Sequence, residues 1–315
     1  MKSLPLKNLN KASRRKIPST EGSLFRRRAL IIYNPVAGYS PGRRLSRVCQ
    51  SLSWLGVEQT VRETAYRGDA EAFAATASSR DFDVVAAAGG DGTINEVVNG
   101  LAGSPLPLSI IPLGTANVLA AEIELPRNVS AIARTIAAGE TRRVHLGVAN
   151  GRRFLMMAGL GFDAHVVSHV NQNIKQAVGK LAYVLQTGVS AFTFPSPAYR
   201  VVIDGVGHEA ASVVIANGRR YGGPYSCAPD ARIEAPEFHV CLFKSSGPLS
   251  IARYSTALMM SRLHQLSDIE IVRGGHVVVE GPEGEPVQCD GDIATTLPLT
   301  ASIGADTLNL VVPVT

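Results

Sequence analysis

The chain has 315 residues, of which 45% are hydrophobic and 18% charged, and its formal net charge is +5 at pH 7. The length predicts two domains of ordinary size, each with enough apolar residues for a packed core. No apolar run is long enough to span a bilayer, the first thirty residues lack the apolar centre of a secretory signal, and the four cysteines form no CxxC pair. We therefore expect a cytoplasmic protein with reduced thiols.

Positive charge is concentrated at the N-terminus. Residues 1–28 contain nine Lys or Arg and one Glu, a net charge of +8. We expect residues 1–27 to form a disordered basic arm, because they offer little apolar surface to bury. The alternative is an arm drawn to an anionic membrane surface, near which each basic residue contributes ~1 kcal/mol. Nucleic acid binding is not expected, since Phe25 is the only aromatic residue of the arm.

Strands and helices alternate through the first half of the chain. This alternation predicts a parallel α/β sheet whose turns lie at the carboxyl ends of the strands. Asp69 is a plausible N-cap for the second helix. The predicted strands cover residues 29–33, 57–64, 84–88 and 108–112, and the predicted helices residues 43–55, 68–78, 94–101 and 129–138.

Residues 84–100 combine a buried strand, a glycine turn and the start of a helix. The turn places Gly89, Gly90 and Gly92 around Asp91 and is followed by Thr93. Glycines allow a close backbone approach, and the N–H groups of a helix N-terminus favour an anion. The pattern therefore predicts a phosphate cradle in which Asp91 binds Mg²⁺ directly or through water. A second small-residue turn, residues 113–117, leads from the fourth strand into another helix.

The pattern changes after about Val144. Short strand candidates dominate, with helical stretches near residues 163–194 and 248–266, so we expect a second, largely antiparallel domain. The apolar stretch 178–194 fits core packing, or alternatively one wall of a lipid-accepting cleft. The strand candidates cover residues 153–158, 199–204, 210–217, 238–243, 276–280, 286–289 and 307–313.

Two motifs of the second half have alternative interpretations. Gly159–Ala164 fits the glycine pattern of a dinucleotide site, but no Asp or Glu follows between His165 and Ile203 to hold a ribose. His165 and His169 have the spacing of zinc ligands without a third ligand or an intervening Glu. Neither site is expected.

Cys289-Asp290-Gly291-Asp292 places two carboxylates around a glycine between strand candidates. A surface hairpin turn explains this sequence. The functional alternative is a general base held beside the phosphate cradle by contact between the domains.

Taken together, the motifs resemble the diacylglycerol kinase catalytic-domain family of bacterial lipid kinases, which is related to sphingosine and ceramide kinases. The similarity runs from about Arg28 to the C-terminus, outside the basic arm. The similar segments are Asn34–Gly38, Gly89–Gly100, Pro112–Asn117, Gly159–Ala164, Ala216–Gly218 with Tyr221–Gly223, and Ala228–Ala231.

The resemblance implies an ATP- and Mg²⁺-dependent lipid kinase that phosphorylates a hydroxyl of diacylglycerol or a similar lipid alcohol. It implies a nucleotide-binding domain at residues 28–144, joined by residues 305–315 if the last strand returns, and a β-rich lipid-binding domain at residues 145–304. Asp292 would be the base that takes the proton of the lipid hydroxyl, and Asp91 would be the Mg²⁺ ligand. The implied nucleotide contacts are Asn34, Thr64, Gly89, Gly90, Asp91, Gly92, Thr93, Ile94, Asn95, Glu96, Gly114, Thr115 and Asn117.

The chain departs from the family pattern at four places. Val118 and His145 replace two acids of the family's Mg²⁺-linked network, although Glu122 could substitute for the first. Asp292 replaces a Glu, and Glu234-Ala235-Pro236 replaces an Asp-Asp-Gly segment that holds a structural ion in some members, so no ion is expected there.

Two other functions therefore remain open: a catalytically weak, nucleotide-binding regulatory protein, and an NAD kinase, which shares the Gly-Gly-Asp-Gly-Thr turn. Neither the lipid substrate nor the oligomeric state can be predicted from this sequence.

Overall fold

The structure is a computed structural model that describes residues 27–169 and 198–314, with only the backbone for residues 166–169. The basic arm up to residue 26, the apolar stretch 178–194 and most of the predicted helix at 163–194 lie outside the described residues. Within the described part of the chain, no helix combines the length and apolar character needed to cross a membrane.

The first domain has four parallel strands in the order β2-β1-β3-β4. All six residues of β3 are buried, as expected for a strand covered by helices on both faces. This confirms the predicted parallel α/β architecture. The elements are β1 (Arg28–Tyr33), α1 (Pro41–Trp54), β2 (Glu58–Glu63), α2 (Asp69–Ala75), β3 (Val84–Gly89), α3 (Asp91–Leu101), β4 (Leu108–Pro112), α4 (Val118–Glu122) and α5 (Val129–Ala138).

Helix α2 begins differently from the prediction. Its N-cap is Gly68, with φ 93°, and Asp69 is the first helical residue. The Asp69 carboxylate accepts hydrogen bonds from the N–H groups of Ala65 (2.7 Å) and Tyr66 (2.8 Å), which lower the pKa of Asp69. Asp69 therefore shapes the preceding turn, and the predicted N-cap was wrong.

The second domain is mainly antiparallel, as predicted, and centres on a six-stranded sheet in the order β14-β13-β10-β7-β16-β17. A 3-10 helix at Leu263–Gln265 replaces the end of the helix predicted at 248–266. The other elements are β5 (Glu140–Ala149), β6 (Arg152–Phe154), β7 (Met157–Leu160), α6 (Phe162–His169), β8 (Tyr199–Ile203), β9 (Val206–Ala210), β10 (Ser212–Ala216), β11 (Arg220–Tyr221), β12 (Tyr225–Ser226), β13 (Phe238–Phe243), α7 (Pro248–Met259), β14 (Ile269–Gly274), β15 (His276–Glu280), β16 (Pro286–Cys289), β17 (Asp292–Thr296) and β18 (Leu299–Val312).

Strand β18 belongs to a ten-stranded sheet that continues from one domain into the other. Its first half pairs with β15, and Leu310 in its second half lies beside Leu108 of β4 in parallel register. Antiparallel β5 pairs along both halves of β18. The first-domain sheet thus extends without interruption into strands of the second domain.

The strand predicted at 153–158 is divided into β6 and β7. The carboxylate of Asp290 accepts hydrogen bonds from the N–H groups of Leu155 (2.8 Å), Met156 (2.8 Å) and Met157 (3.0 Å). Because one side chain takes these donors at the junction, the strand breaks there, and Asp290 fixes the break.

Candidate active site

The first glycine turn connects β3 to α3. A Cβ atom on Gly89 would lie 2.5 Å from the Cβ of Thr93, so this position accepts only glycine without movement of the helix. Gly90 is the N-cap of α3, and its carbonyl accepts the first helical hydrogen bond, from Ile94 N–H (3.0 Å). The turn therefore brings the α3 N-terminus to the carboxyl edge of the sheet, where an anion is favoured.

The second turn, at residues 113–117, packs directly on the first. A Cβ atom on Gly114 would lie 2.6 Å from the Cα of Gly90, so the two backbones touch. Asn117 adopts a left-handed φ of 50°, and its Nδ2 donates to the carbonyl of Gly114 (2.7 Å). The two turns predicted to bind phosphate thus form one continuous surface.

Asp91 joins the two turns. Its carboxylate accepts hydrogen bonds from the N–H groups of Asn117 (3.0 Å) and Val118 (2.7 Å), at the beginning of α4. Burial raises the pKa of Asp91 to about 6, and the nearby charge of Asp290 contributes to the increase. The assignment of Asp91 to Mg²⁺ stays a prediction, and its contacts give it a second role that the sequence did not indicate.

Two more predicted nucleotide contacts lie at the same sheet edge. Asn34 follows β1; its Nδ2 donates to the Thr93 hydroxyl (3.0 Å), and its Oδ1 accepts from Val36 N–H (3.0 Å). Thr64 follows β2, is buried, and donates its N–H to the carbonyl of Tyr33 (2.8 Å). The predicted contacts on four successive strands are therefore gathered together.

Three predicted contacts on α3 have their side chains engaged within the protein. Ile94 is buried in the apolar core. Asn95 Nδ2 donates to Asp290 (2.8 Å) and to the Arg153 carbonyl (3.0 Å), and Glu96 accepts from Ala70 N–H at the start of α2 (3.2 Å). Thr115, in the second turn, is exposed. Their contact with nucleotide stays a prediction.

Asp292 lies at the first glycine turn. It begins β17 after a hairpin turn in which Asp290 and Gly291 both have positive φ, of 51° and 91°. A Cβ atom on Gly92 would overlap the Asp292 carboxylate. The domain contact therefore brings this carboxylate to the N-terminus of α3.

The two carboxylates of the hairpin have different surroundings. Asp290 is buried, accepts from three backbone N–H groups and from Asn95, and has its pKa raised by burial. Asp292 lines a cleft between the domains. The local sequence could not distinguish them, because the difference comes from β6, β7 and α3.

A chain of hydrogen bonds supports this hairpin from the second domain. The Tyr221 hydroxyl and Gln288 Nε2 (2.7 Å) both donate to the buried carboxylate of Asp163, and Gln288 Oε1 accepts from Gly291 N–H (2.8 Å). This series of hydrogen bonds ends at Gly291, the residue before Asp292. It gives Asp163, in the Gly159–Ala164 motif, a supporting role in place of the dinucleotide contact considered from the sequence.

The cleft contains a cavity of about 310 Å³ lined by residues of both domains. Gly92, Glu96 and Asp292 are joined there by Arg67, Glu71 and Arg152, which the sequence did not identify. Arg67 stands in the turn just before α2, and its signal in the sequence is this position at a helix N-terminus. Arg152 carried no local signal, because only the pairing of β5 with β6 brings it to the cleft.

The departures from the family pattern also have definite surroundings. Val118 contributes its N–H to Asp91. Glu122 faces the second domain, where it accepts from Arg220 N–H (2.9 Å) and lies 3.7 Å from Arg219; burial raises the pKa of Glu122. These contacts with β11 and the residue before it give Glu122 a structural role at the domain boundary.

The oxygen donors near the glycine turns fit Mg²⁺. No three His, Cys, Asp or Glu side chains of the described residues group as a metal site. Asp91, Asp292 and the buried Asn117 Oδ1, which has no hydrogen-bond partner, are nevertheless hard oxygen donors of the kind Mg²⁺ prefers. Mg²⁺ is commonly held by one or two carboxylates together with water and substrate phosphates, so the donor types present fit this ion.

Comparison with known protein families covers nearly the whole described chain. The family described as "Diacylglycerol kinase catalytic domain" matches residues 28–149. The family described as "YegS C-terminal NAD kinase beta sandwich-like domain" matches residues 157–312. The two matches divide the chain between the parallel α/β region and the antiparallel region.

Individual relatives show the same similarity along the chain. A diacylglycerol kinase of Bacillus subtilis (strain 168) is 32% identical over 282 residues, covering 86% of this chain and 92% of the relative. One from Staphylococcus carnosus (strain TM300) is 27% identical over 281 residues, covering 87% and 91%. A crystal structure of a diacylglycerol kinase from Bacillus anthracis str. Sterne aligns with a TM-score of 0.74 at 25% identity, covering 90% and 96%.

Proposed function

We propose that this chain, which belongs to the diacylglycerol kinase family and is a lipid kinase, uses ATP as its phosphoryl donor. The γ-phosphoryl group passes to a hydroxyl of diacylglycerol or a similar lipid alcohol. The observation that carries the proposal is the contact between Asp292 and Gly92, which joins a carboxylate of one domain to the anion-favouring helix terminus of the other.

The reaction requires the phosphates to be held on one side of the cleft and the lipid hydroxyl to be oriented on the other. The bond between the γ-phosphorus and its bridging oxygen breaks, the lipid oxygen forms the new bond to phosphorus, and the hydroxyl proton passes to Asp292. Phosphoryl transfer depends mainly on positioning and charge neutralisation, so the glycine turns hold the phosphates while Asp292 orients the hydroxyl.

Mg²⁺ is the proposed cofactor. Asp91, with Asn117 Oδ1 as a further oxygen donor, would hold it, and the ion would neutralise phosphate charge. Asp91 is already fixed by its two hydrogen bonds from α4. The same contacts keep the second glycine turn against the first.

Transfer of radiolabelled phosphate tests the proposal. The full chain is incubated with labelled ATP and Mg²⁺ against diacylglycerol, sphingoid bases, ceramide and other lipid alcohols in mixed micelles. We expect label on at least one lipid and its loss when Mg²⁺ is chelated. A folded chain that labels none of them would overturn the proposal.

Asp292→Asn is the matching test of the proposed base. Loss of a general base lowers kcat by about 100- to 10,000-fold. ATP affinity, measured by calorimetry, should stay close to that of the wild type. Equal transfer by the wild type and the variant would remove Asp292 from the mechanism.

The regulatory alternative is motivated by Val118, His145 and Asp292 together. The regulatory alternative predicts that the chain binds ATP without transferring phosphate and that Asp292→Asn leaves this binding unchanged.

The NAD kinase alternative rests on the glycine turn and on the NAD kinase-like description of the second domain. The same labelling assay with NAD as acceptor separates it from lipid phosphorylation.

We further propose that the protein works in the cytoplasm as a peripheral membrane enzyme. Its substrate class is confined to lipid surfaces, and the basic arm of residues 1–27 supplies charge complementary to anionic headgroups. The division into a nucleotide-binding domain (28–144, with 305–315) and a lipid-binding domain (145–304) is part of this proposal.

A further inference from the structure

Arg152 is a cation that the second domain presents to the cleft. It begins β6, and its Nη1 lies 2.6 Å from Glu71 Oε2 on α2 of the first domain. Both side chains line the same cavity as Gly92 and Asp292. The Arg152 guanidinium therefore stands at the wall of the cavity in which the phosphates would meet the base.

The backbone that carries Arg152 is anchored to the helix of the glycine turn. The neighbouring residue, Arg153, donates its N–H to Asn99 Oδ1 (3.1 Å), and its carbonyl accepts from Asn95 Nδ2 (3.0 Å) and Asn99 Nδ2 (3.1 Å). Because Asn95 and Asn99 both belong to α3, the start of β6 keeps a constant position relative to the α3 N-terminus.

The two consecutive arginines have different partners. The Arg153 side chain lies 2.5 Å from Asp306 on β18, a contact between strands of the same sheet. Arg152 instead reaches across the domain boundary to Glu71. About a third of each side chain in the Arg152–Glu71 pair is exposed, so the pair is screened and weak enough to be exchanged for another anion.

The cavity is lined by two guanidinium groups and three carboxylates, so a phosphate group finds its cationic partners there only at the arginines. Arg67 and Arg152 are its cations, and Arg67 Nη2 donates to the Ile293 carbonyl (3.4 Å), next to Asp292. Guanidinium groups bind phosphate oxygens through paired, charge-assisted hydrogen bonds. A triphosphate that extended from the glycine turns into the cavity would meet Arg152 in competition with Glu71.

We propose that Arg152 is a phosphate-binding residue of the second domain, paired with Glu71 without nucleotide and transferred to the phosphates of a bound nucleoside triphosphate. This inference rests on the proposed function. It assigns the second domain a share of nucleotide binding, through a residue outside every motif recognised in the sequence.

The alternative explanation is that Arg152 and Glu71 only hold the domains together. The two explanations predict opposite results for Glu71→Gln. If the pair is only a domain contact, Arg152→Gln and Glu71→Gln weaken ATP binding in the same direction and to the same extent. If Arg152 binds phosphate, Glu71→Gln releases it and strengthens ATP binding.

Calorimetric titration of the full chain with ATP and with adenosine makes the distinction. We expect Arg152→Gln to weaken ATP binding by about 10- to 100-fold, the loss of one charge-assisted hydrogen bond, without changing adenosine affinity. We expect Glu71→Gln to strengthen ATP binding by about two- to fivefold, the worth of an exposed ion pair. The double variant should match Arg152→Gln.

Controls keep the outcome interpretable. Arg200→Gln, which removes an exposed ion pair with Glu280 (3.4 Å), should leave ATP affinity unchanged. If Arg152→Gln does not fold, Arg152→Lys replaces it, and a loss of ATP affinity with unchanged adenosine affinity is again expected. Equal and parallel losses for the Arg152 and Glu71 variants, or parallel losses of ATP and adenosine, would overturn the inference. A wild-type chain that binds no ATP would instead overturn the proposed function.

Discussion

Gly92 is the residue on which the geometry of the candidate site depends most directly. The Asp292 carboxylate lies directly against the α3 backbone at Gly92, and a Cβ atom on Gly92 would overlap it. We expect Gly92→Ala to lower kcat by about 100-fold or more, because displacement of a catalytic group by about 1 Å can have this effect. The measurement is transfer to the lipid identified in the labelling screen.

Gly207→Ala is the matched control for that substitution. A Cβ atom at Gly207 has no neighbour within 4 Å, and Gly207 lies in β9 of the second domain. Its activity and its melting temperature should remain close to those of the wild type. If Gly92→Ala were equally active, the contact between Gly92 and Asp292 would have no part in the reaction.

The β16–β17 hairpin carries Asp292 and is held in place by hydrogen bonds from the second domain. Gln288 in β16 is buried, and its side chain is hydrogen-bonded to both Asp163 and Gly291. We expect Gln288→Leu to lower kcat by about 10-fold or more while ATP affinity stays close to that of the wild type, because the turn loses its orientation. Loss of the hydrogen bond to the buried carboxylate of Asp163 should lower the free energy of unfolding by about 1–3 kcal/mol.

A destabilised variant away from the hairpin separates positioning from stability. Val279→Ala removes methyl groups from a fully buried site in β15. At a temperature where both variants remain folded, Val279→Ala should keep its kcat. If both variants lost activity in proportion to the loss of unfolding free energy, Gln288 would be a purely structural residue.

Helix α3 connects the same hairpin to the first domain. Its N-terminus forms the glycine turn, Asn95 contacts Asp290, and Asn99 binds the backbone of β6. One helix thus positions the first glycine turn, the hairpin and the strand that carries Arg152. This explains why the motif from Gly89 to Gly100 extends well beyond the turn.

The shared strand β18 predicts that the two domains unfold as a single cooperative unit. Leu310 is fully buried between β4 and β5, and the first half of the same strand pairs with β15. We expect Leu310→Ala to lower the free energy of unfolding by about 2–5 kcal/mol and to reduce hydrogen-exchange protection in both β3 and β13.

The exposed Val206→Ala is the control for Leu310→Ala, since a surface change should alter stability by no more than about 0.5 kcal/mol. Both variants are compared by hydrogen exchange and by calorimetry. Loss of protection in β3 alone, or two separate calorimetric transitions, would show that the domains unfold independently.

The basic arm gives the whole molecule an expected affinity for anionic membranes. Replacement of Arg14, Arg15 and Lys16 by Gln should weaken binding to anionic vesicles by about 100-fold, at ~1 kcal/mol for each charge. The loss should disappear at high salt and on zwitterionic vesicles. Equal sedimentation of both proteins with anionic vesicles would exclude the arm from membrane binding.

Strands and helices were predicted correctly where neighbouring residues in the sequence determine them, and less well where distant contacts do. In the first domain β1, β3 and β4 were recognised because β3 is a continuous apolar run and the buried residues of β1 and β4 are apolar except for Ser109. In the second domain six strands were missed, because they are very short or their partly buried patterns lack clear alternation: β5, β9, β11, β12, β14 and β17. The strand predicted at 153–158 was interrupted by Asp290, whose effect comes from residues more than a hundred positions away.

The sequence by itself determined the α/β class, the antiparallel second domain, the two glycine turns and the family, because each depends on residues close together in the chain. Only the tertiary structure decided which hairpin carboxylate enters the cleft, what Asp91 and Asp163 contact, and that Arg152 faces Glu71. Those relations depend on how β6 and the β16–β17 hairpin contact α3. Contacts of this kind are set by the burial and hydrogen bonding of distant segments, which leave no spacing pattern in the sequence.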